Sequence, residues 1–304
     1  MKVLCFGSLN IDYVYSVAHF VSKGETLAST GLQVFTGGKG LNQSIALAKA
    51  GCDVYHAGAI GPDGVFLLEA MQEAGVNTEY VSILENARSG NAIIQRNPEG
   101  DNCILLFGGT NRMITTRQID AVLVHFCAGD YLIVQNEINN LSYILEQAHA
   151  KGMIIVLNPS PMNDGIRELP LAYVDIFMLN EVEAFQILNC GRETGHAQLP
   201  EMLQAVFPQA AIVLTLGSEG AIYMNGNSHF VQQAYPVKVA DTTAAGDTFT
   251  GFFIGGLIAG KSRQAALQTA SAAAAITCSR PGAASSIPSI REVLEFIKAK
   301  PVNF

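Results

Sequence analysis

The stretch "VADTTAAGDTFTG" (239–251) leaves a strand-like run, turns through small residues and opens a helix with Asp247 in its first turn. The first N–H groups of a helix have no partner inside it, and the helix dipole favours negative charge there. The N–H groups of Ala244, Ala245, Gly246 and Asp247 are therefore expected to converge on an anion, and the small side chains let a phosphate reach the backbone. A carboxylate beside such an anion hole can take the proton of an attacking hydroxyl as its acidity rises. Alone, Asp247 would be read as a residue that merely suits the dipole. The Asp-Thr-Thr-Ala-Ala-Gly-Asp string around it favours chemistry.

The far end of the same helix carries a competing pattern. "GGLIAGKS" (255–262) spells Gly, four residues, Gly-Lys and Ser, as a phosphate-binding P-loop does. That pattern functions only where a strand feeds the loop and a helix follows it. Here Phe249, Phe252, Phe253, Ile254, Leu257 and Ile258 run through at helical spacing, and Gly260 reads as a C-terminal cap. Lys261 would then sit at the carbonyl end, where the dipole repels phosphate. The match is a coincidence, and Gly255 and Gly256 are read as packing residues.

Composition narrows the partners. A net charge of -8 with no basic stripe argues against nucleic acid. No run of about eighteen apolar residues is present, so no membrane span is expected. "MKVLCFGSLNID" at the N-terminus reads as a first strand, not as a signal peptide. The six cysteines are scattered without a C-x-x-C pair, which points to reduced thiols in a cytoplasmic setting. The six histidines lack metal-ligand spacing, so no zinc site is expected.

The elements that must position Asp247 alternate along the chain. Apolar runs at 2–9, 53–60, 130–135, 153–158, 174–180 and 211–217 are separated by helical segments, among them 40–51, 63–75 (with Asp63 as N-cap) and 140–151. The reading is an α/β protein, three layers deep, with a mainly parallel central sheet covered on both faces. Two segments break the rhythm, at about 11–36 and 88–107. The first alternates like half-exposed strands, the second reads as a hairpin around "NPEGD", and neither is followed by a helix of its own. They are expected to form a small β-sheet lid inserted in a single domain spanning 1–304.

Two motifs together carry a resemblance to a known family. "DTTAAGDTFTGFF" (241–253) and "GGKGLNQSIALAKAGCDVYHAGAIG" (37–61) resemble the two signatures of the ribokinase, or PfkB, carbohydrate kinases. "GSLNID", "NEVE" (180–183) and "TLGSEG" (215–220) extend the likeness nearly end to end. The resemblance implies a ribokinase-like fold and ATP-dependent phosphate transfer to a sugar hydroxyl. Asp247 would be the general base, and the backbone of Ala244, Ala245, Gly246 and Asp247 the anion hole.

The resemblance also assigns the binding residues. Asn180 and Glu183 would hold Mg²⁺–ATP largely through water, although Asn-Glu at that position also serves as a helix cap. Thr215, Gly217 and Gly220 would line the nucleotide. Asn10, Asp12, Gly38, Lys39, Asn42 and Glu137 would surround the sugar. A potassium ion would lie between Asp241 and Thr243 on one side and, on the other, carbonyls near Thr277, Arg280 and Gly282 with the Ser286 hydroxyl. A homodimer joined through the lids is implied as well.

The sugar-contact regions favour a pentose, ribose above 2-deoxyribose, phosphorylated at its primary hydroxyl. Fructokinase activity stays open, and Arg88 and Arg96 keep a sugar phosphate in play. Tyr13 and Tyr15 either pack the lid or stack on a base, as a nucleoside kinase requires. Outside enzymes, the alternative is a sugar-binding regulator without turnover.

Overall fold

"VLCF" carries apolar side chains at every position, so it must lie in a sheet covered on both faces. The structure, a computed structural model, describes residues 1–191 and 193–300. Its strands are β1 (Val3–Phe6), β2 (Asn10–Ser16), β3 (Gly31–Gly37), β4 (Val54–Ile60), β5 (Asn77–Ile83), β6 (Gly90–Arg96) and β7 (Asn102–Phe107). They continue as β8 (Tyr131–Gln135), β9 (Ile154–Asn158), β10 (Ile176–Asn180), β11 (Ala211–Thr215), β12 (Ala221–Asn225) and β13 (Ser228–Gln232). The α-helices are α1 (Lys39–Lys49), α2 (Val65–Glu73), α3 (Thr116–Leu123), α4 (Leu141–Ala150), α5 (Glu181–Leu188), α6 (Leu199–Val206), α7 (Ala245–Ile258), α8 (Arg263–Cys278) and α9 (Ile290–Ala299).

A nine-stranded sheet runs in the order β13-β12-β11-β10-β9-β8-β1-β4-β5, its pairs parallel except that β12 runs antiparallel to both β11 and β13. From β1 the chain adds β4 and β5 on one side, then returns to build β8 onward on the other. The order therefore reverses at the β1–β8 boundary, and a crevice opens beyond the carboxyl ends of the strands there. Alternate residues feed two cores. Val3, Cys5 and Ile133 pack under α1, α2, α7, α8 and α9, through Leu41, Leu67, Phe252, Leu267 and Val293. Leu4, Phe6, Leu132 and Val134 pack under α3 to α6, through Ile119, Ile144, Ala184 and Leu203.

The lid is a separate four-stranded sheet in the order β3-β2-β6-β7. Its register places Asp12 in a row with Phe35, Ala92 and Leu106, and Tyr13 in the next row with Val34, Ile93 and Leu105. Successive rows face opposite ways, so Tyr13 and Tyr15 point away from the face that carries Asp12.

Helix α7 lies between α1 and α8, and its glycines set how closely. A Cβ at Gly251 would come within 2.4 Å of the Ala46 Cβ, and one at Gly256 within 3.0 Å of the Ala266 Cβ. "GGLIAGKS" is thus helix interior followed by a cap: Gly260 has φ +75°, and Lys261 donates to Thr269 Oγ1 at 3.0 Å.

Three local expectations are corrected. Asp63 caps no helix. Pro62–Gly64 forms a 3₁₀ turn, and the Asp63 carboxylate accepts from the Ser89 N–H (3.0 Å) and hydroxyl (2.8 Å). The strand-like "YPVKVAD" (235–241) joins no sheet, because Ala240 and Asp241 donate to the Cys278 carbonyl at the end of α8 (2.8 and 3.2 Å). The edge elements β5 and the β12–β13 hairpin extend the sheet beyond the runs read from sequence. Among the described residues no helix is long and apolar enough to cross a membrane.

One buried group predicts acid sensitivity. His56, on β4, is fully buried with Nδ1 2.7 Å from Ser44 Oγ, and burial pushes its pKa from 6.5 down to about 4. Between those values the unfolded chain binds a proton that the folded chain refuses, so stability falls as pH drops through that window. The loss by the lower end is about 3 kcal/mol. Urea unfolding at about pH 7 and about pH 4.5 checks it, with a His56→Gln variant expected to lack that share of the drop.

Candidate active site

The carboxyl ends of five parallel strands deliver polar residues to one rim. Ser8 and Asn10 follow β1, Glu137 follows β8, and Asn158, Asn180 and Thr215 end β9, β10 and β11. The N-termini of α1 and α7 form the facing rim. Between them lies a cleft of about 220 Å³ lined by Lys39, Asn158, Asn180, Glu183, Thr215, Thr242, Ala244, Gly246 and Asp247, among others.

The start of α1 is pinned to β1. Gly38 has φ +95°, and a Cβ there would lie 2.9 Å from the Ser8 carbonyl, so glycine is required. The Ser8 carbonyl accepts from the Leu41 N–H (3.0 Å), and the Ser8 hydroxyl accepts from the Gly40 N–H (3.2 Å). That hydroxyl donates to Glu137 Oε2, which also accepts from the Lys39 N–H at 3.0 Å. Glu137 therefore caps α1, a structural task that its expected place beside a sugar did not anticipate. Asn10 is buried, and its Oδ1 accepts from Asn111 Nδ2 at 2.8 Å, which leaves the Asn10 amide as a donor. Asn111 sits in a 3₁₀ turn with no motif around it, and sequence reasoning missed it.

Charge is concentrated here. Burial, reinforced by the charge of Glu137, pushes the Asp12 carboxyl from 3.8 up to about 7. Burial by itself would lower the Lys39 pKa, but the negative charges of Asp247, Glu137 and Glu183 outweigh it and hold the ammonium above the usual lysine range. The cleft thus keeps a fixed cation facing three carboxylates.

At the start of α7, Ala244 adopts a left-handed φ of +60°. The Ala245 N–H turns back to the Thr242 carbonyl at 3.2 Å, so it is already engaged within the turn and does not join the expected converging N–H groups. Gly246 and Asp247 follow in the first turn of α7, and both line the cleft. The Asp247 carboxylate is 7% exposed. Its Oδ2 accepts from Asn42 Nδ2 at 3.0 Å, and its Oδ1 accepts from Gln43 Nε2 at 2.9 Å. Gln43 was not singled out from sequence, although its place beside Asn42 was a usable signal.

The remaining expected residues fall into two groups. Asn180 and Glu183 line the cleft, yet they also form a complete capping box, with three mutual hydrogen bonds of 2.9–3.0 Å. Thr215 Oγ1 donates to the Leu179 carbonyl at 3.3 Å. Gly217 and Gly220 both have positive φ, and a Cβ at Gly220 would lie 2.0 Å from the Gln232 carbonyl. Asp241 accepts from the Thr243 N–H (2.9 Å) and hydroxyl (2.6 Å) and from the Gly282 N–H (3.3 Å), which joins the two segments. Burial opposes its ionisation, but these bonds hold the carboxyl below the usual range. The side chains of Thr277 and Arg280 turn elsewhere, to Thr248 (3.1 Å) and Glu292 (2.7 Å), and the Ser286 hydroxyl donates to the Ala283 carbonyl (2.7 Å). Arg88 is exposed beside Asp63, 3.4 Å away.

The architecture and the two motifs match known proteins. Residues 1–290 match the model of the pfkB family carbohydrate kinases. The chain is 34% identical to a ribokinase of Haemophilus influenzae, over 96% of this chain and 97% of that one. It is equally similar, at 34%, to a ribokinase of Staphylococcus aureus, with 96% and 98% covered. An Arabidopsis thaliana ribokinase structure, complexed with ribose and ATP, superposes with a TM-score of 0.88 at 28% identity, covering 98% of each chain. With the fold, the helix-borne carboxylate and the full-length likeness in agreement, this chain belongs to the pfkB family of carbohydrate kinases.

Proposed function

We propose that the protein transfers the γ-phosphate of ATP to the primary hydroxyl of ribose, giving ribose 5-phosphate. The observation that carries this reading is Asp247, held by two amides at the N-terminus of α7 in one cleft with Lys39 and Glu183. Asp247 takes the hydroxyl proton late in a loose transfer, while the Gly246 and Asp247 N–H groups stabilise charge on the moving phosphoryl group. Lys39 neutralises phosphate charge in the same space. Both Glu183 oxygens already accept hydrogen bonds, which suits contact with a nucleotide-borne Mg²⁺ through water. The ion would supply further neutralisation of the phosphates. The ionised Asp241, drawn onto the 282 loop, fits a potassium ion that would stiffen the turn leading to Ala244.

Ribose is supported by the ribokinases among the relatives and by the ribose-bound structure. A second reading is 2-deoxyribose, favoured by 28% identity to a deoxyribokinase of Salmonella typhi over 98% of this chain. Stacking on a nucleoside base is disfavoured, since Tyr13 and Tyr15 lie on the lid face opposite Asp12 and Tyr13 packs on the core. A coupled assay with ribose, 2-deoxyribose, fructose, adenosine and fructose 6-phosphate tests the assignment. Ribose is expected to lead in kcat/KM by about tenfold, a margin that one missing hydroxyl partner readily produces. Potassium is expected to raise the rate over choline. Lack of turnover with all five acceptors overturns the reading.

The lid supports a homodimer. Ile104, Leu106 and Phe35 share the face of Asp12 and are 52%, 52% and 36% exposed, an apolar surface that needs a cover. Two copies meeting through these faces would supply it and shut water from the cleft. Light scattering is expected to give two chains per particle, and Leu106→Glu to give one; a wild-type monomer at assay concentration refutes the dimer. The cysteines stand as free thiols, which supports a cytoplasmic setting.

A further inference from the structure

We propose that Gln43 is a positioning residue for the Asp247 carboxylate, and that Gln135 and Asn158 fix which end of its amide faces that carboxylate. The proposal rests on the reading of Asp247 as the base. Gln43 is fully buried on α1 and does not line the cleft, so it touches Asp247 from behind. Its Nε2 lies 2.9 Å from Asp247 Oδ1 and 3.3 Å from Asn158 Oδ1, which uses both amide protons. Its Oε1 accepts from Gln135 Nε2 at 2.7 Å.

Each neighbour is itself oriented. Asn158 Nδ2 donates to the Met178 carbonyl at 2.9 Å, so only its oxygen can face Gln43. Gln135, also fully buried, has its amide nitrogen between Gln43 and Cys5 Sγ, the latter at 3.6 Å. Turning the Gln43 amide over would set its oxygen against the carboxylate and against Asn158 Oδ1, and its nitrogen against the Gln135 donor. Three bonds would become three repulsions in a dry interior, where unpaired polar groups cost most. The orientation is therefore determined. With Asn42 on Oδ2 and Gln43 on Oδ1, the carboxylate plane is fixed from both sides, and each oxygen keeps a lone pair for the incoming hydroxyl.

Steady-state kinetics with ribose and ATP test the chain of amides. Gln43→Met is expected to lower kcat about 10–100-fold, as a misplaced base does, with both KM values within about twofold. Gln135→Met is expected to lower kcat about 3–10-fold, and the double variant no further than Gln43→Met, because Gln135 acts through Gln43. Losses that multiply, or a Gln43→Met defect confined to KM, overturn the proposal. If Gln43→Met does not fold, Gln43→Ala removes both donors without adding a charge or a new donor and takes its place in the same comparison. Absence of any sugar turnover by the wild-type protein would sink the reading of Asp247 alone. The positioning contact is then read by thermal unfolding, where Tm shifts of Gln43→Met and Asp247→Asn should fail to add by about 3 °C. Additive shifts overturn it.

Discussion

Asp247→Asn is expected to lower kcat for sugar phosphorylation by about 10²–10⁴-fold, the range associated with loss of a positioned general base. The substitution keeps size and place, since the helix that carries residue 247 is held by packing along its whole length. It replaces one acceptor oxygen by a donor. That donor must face either Asn42 or Gln43, both of which already present amide N–H groups to the carboxylate. One charge-assisted bond is lost and one repulsion is gained, so stability should also fall by about 1–3 kcal/mol. In the proposed binding mode the triphosphate meets other groups, including Lys39 and the backbone N–H groups, so ATP affinity by calorimetry should change little. A variant that keeps wild-type kcat removes Asp247 from the base role.

Gly251→Val is expected to damage both stability and turnover from outside the cleft itself. A first side-chain carbon at 251 would stand 2.4 Å from the Ala46 Cβ and 2.8 Å from the Ala46 carbonyl carbon, both on α1. Neither is the yielding tip of a long side chain, so the two helices must separate. Overpacking of this kind costs about 1–3 kcal/mol, and the extra branch raises it toward the upper end. Separation also draws Asn42 and Gln43 on α1 away from Asp247 on α7. A shift near 1 Å is enough for about a hundredfold loss of kcat. Urea unfolding and kcat, measured together, should both fall. Gly260→Ala is the control: it meets no atom within 4 Å but has φ +75°, so it should cost about 1 kcal/mol of stability and leave kcat intact. Equal damage from both substitutions would mean that the helix contact does not set the base.

The fold was legible where burial makes a strand apolar on both faces. The runs that became β1 and β8 to β11 stand out because no polar residue interrupts their centres, and β4 stands out despite the buried His56. The edge strand β5 ("NTEYVSI") is half-exposed and so carries too few apolar positions to declare itself. The β12–β13 hairpin had a signal in "NGN" around Gly226, whose φ of +54° suits a tight turn, and it was passed over. In the cleft, Asp247 and Asn42 were legible because each lies in a motif with its own local logic. Gln43, Gln135, Asn158 and Asn111 were not, because their partners are distant in sequence. Gln43 and Asp247 lie 204 positions apart, and only the approach of α1 to α7 makes one relevant to the other. Glu137 was read as a sugar contact, and the task legible only in the structure is that its carboxylate closes the first turn of α1.

The position of β1 bears on how the protein is made. It leaves the ribosome before every other described strand, yet its two neighbours are β4 and β8, paired through Leu4 with Tyr55 and Leu132. Once β4 and β5 have appeared, one edge of β1 stays open until Tyr131 follows, a delay of about 50 residues or several seconds at about 5–20 residues per second. Through that interval a fully apolar strand edge is exposed on an incomplete sheet, the condition under which nascent chains recruit chaperones or misassemble. The crevice at the β1–β8 boundary forms from the same late pairing, so the half-made chain lacks a cleft that a ligand could stabilise.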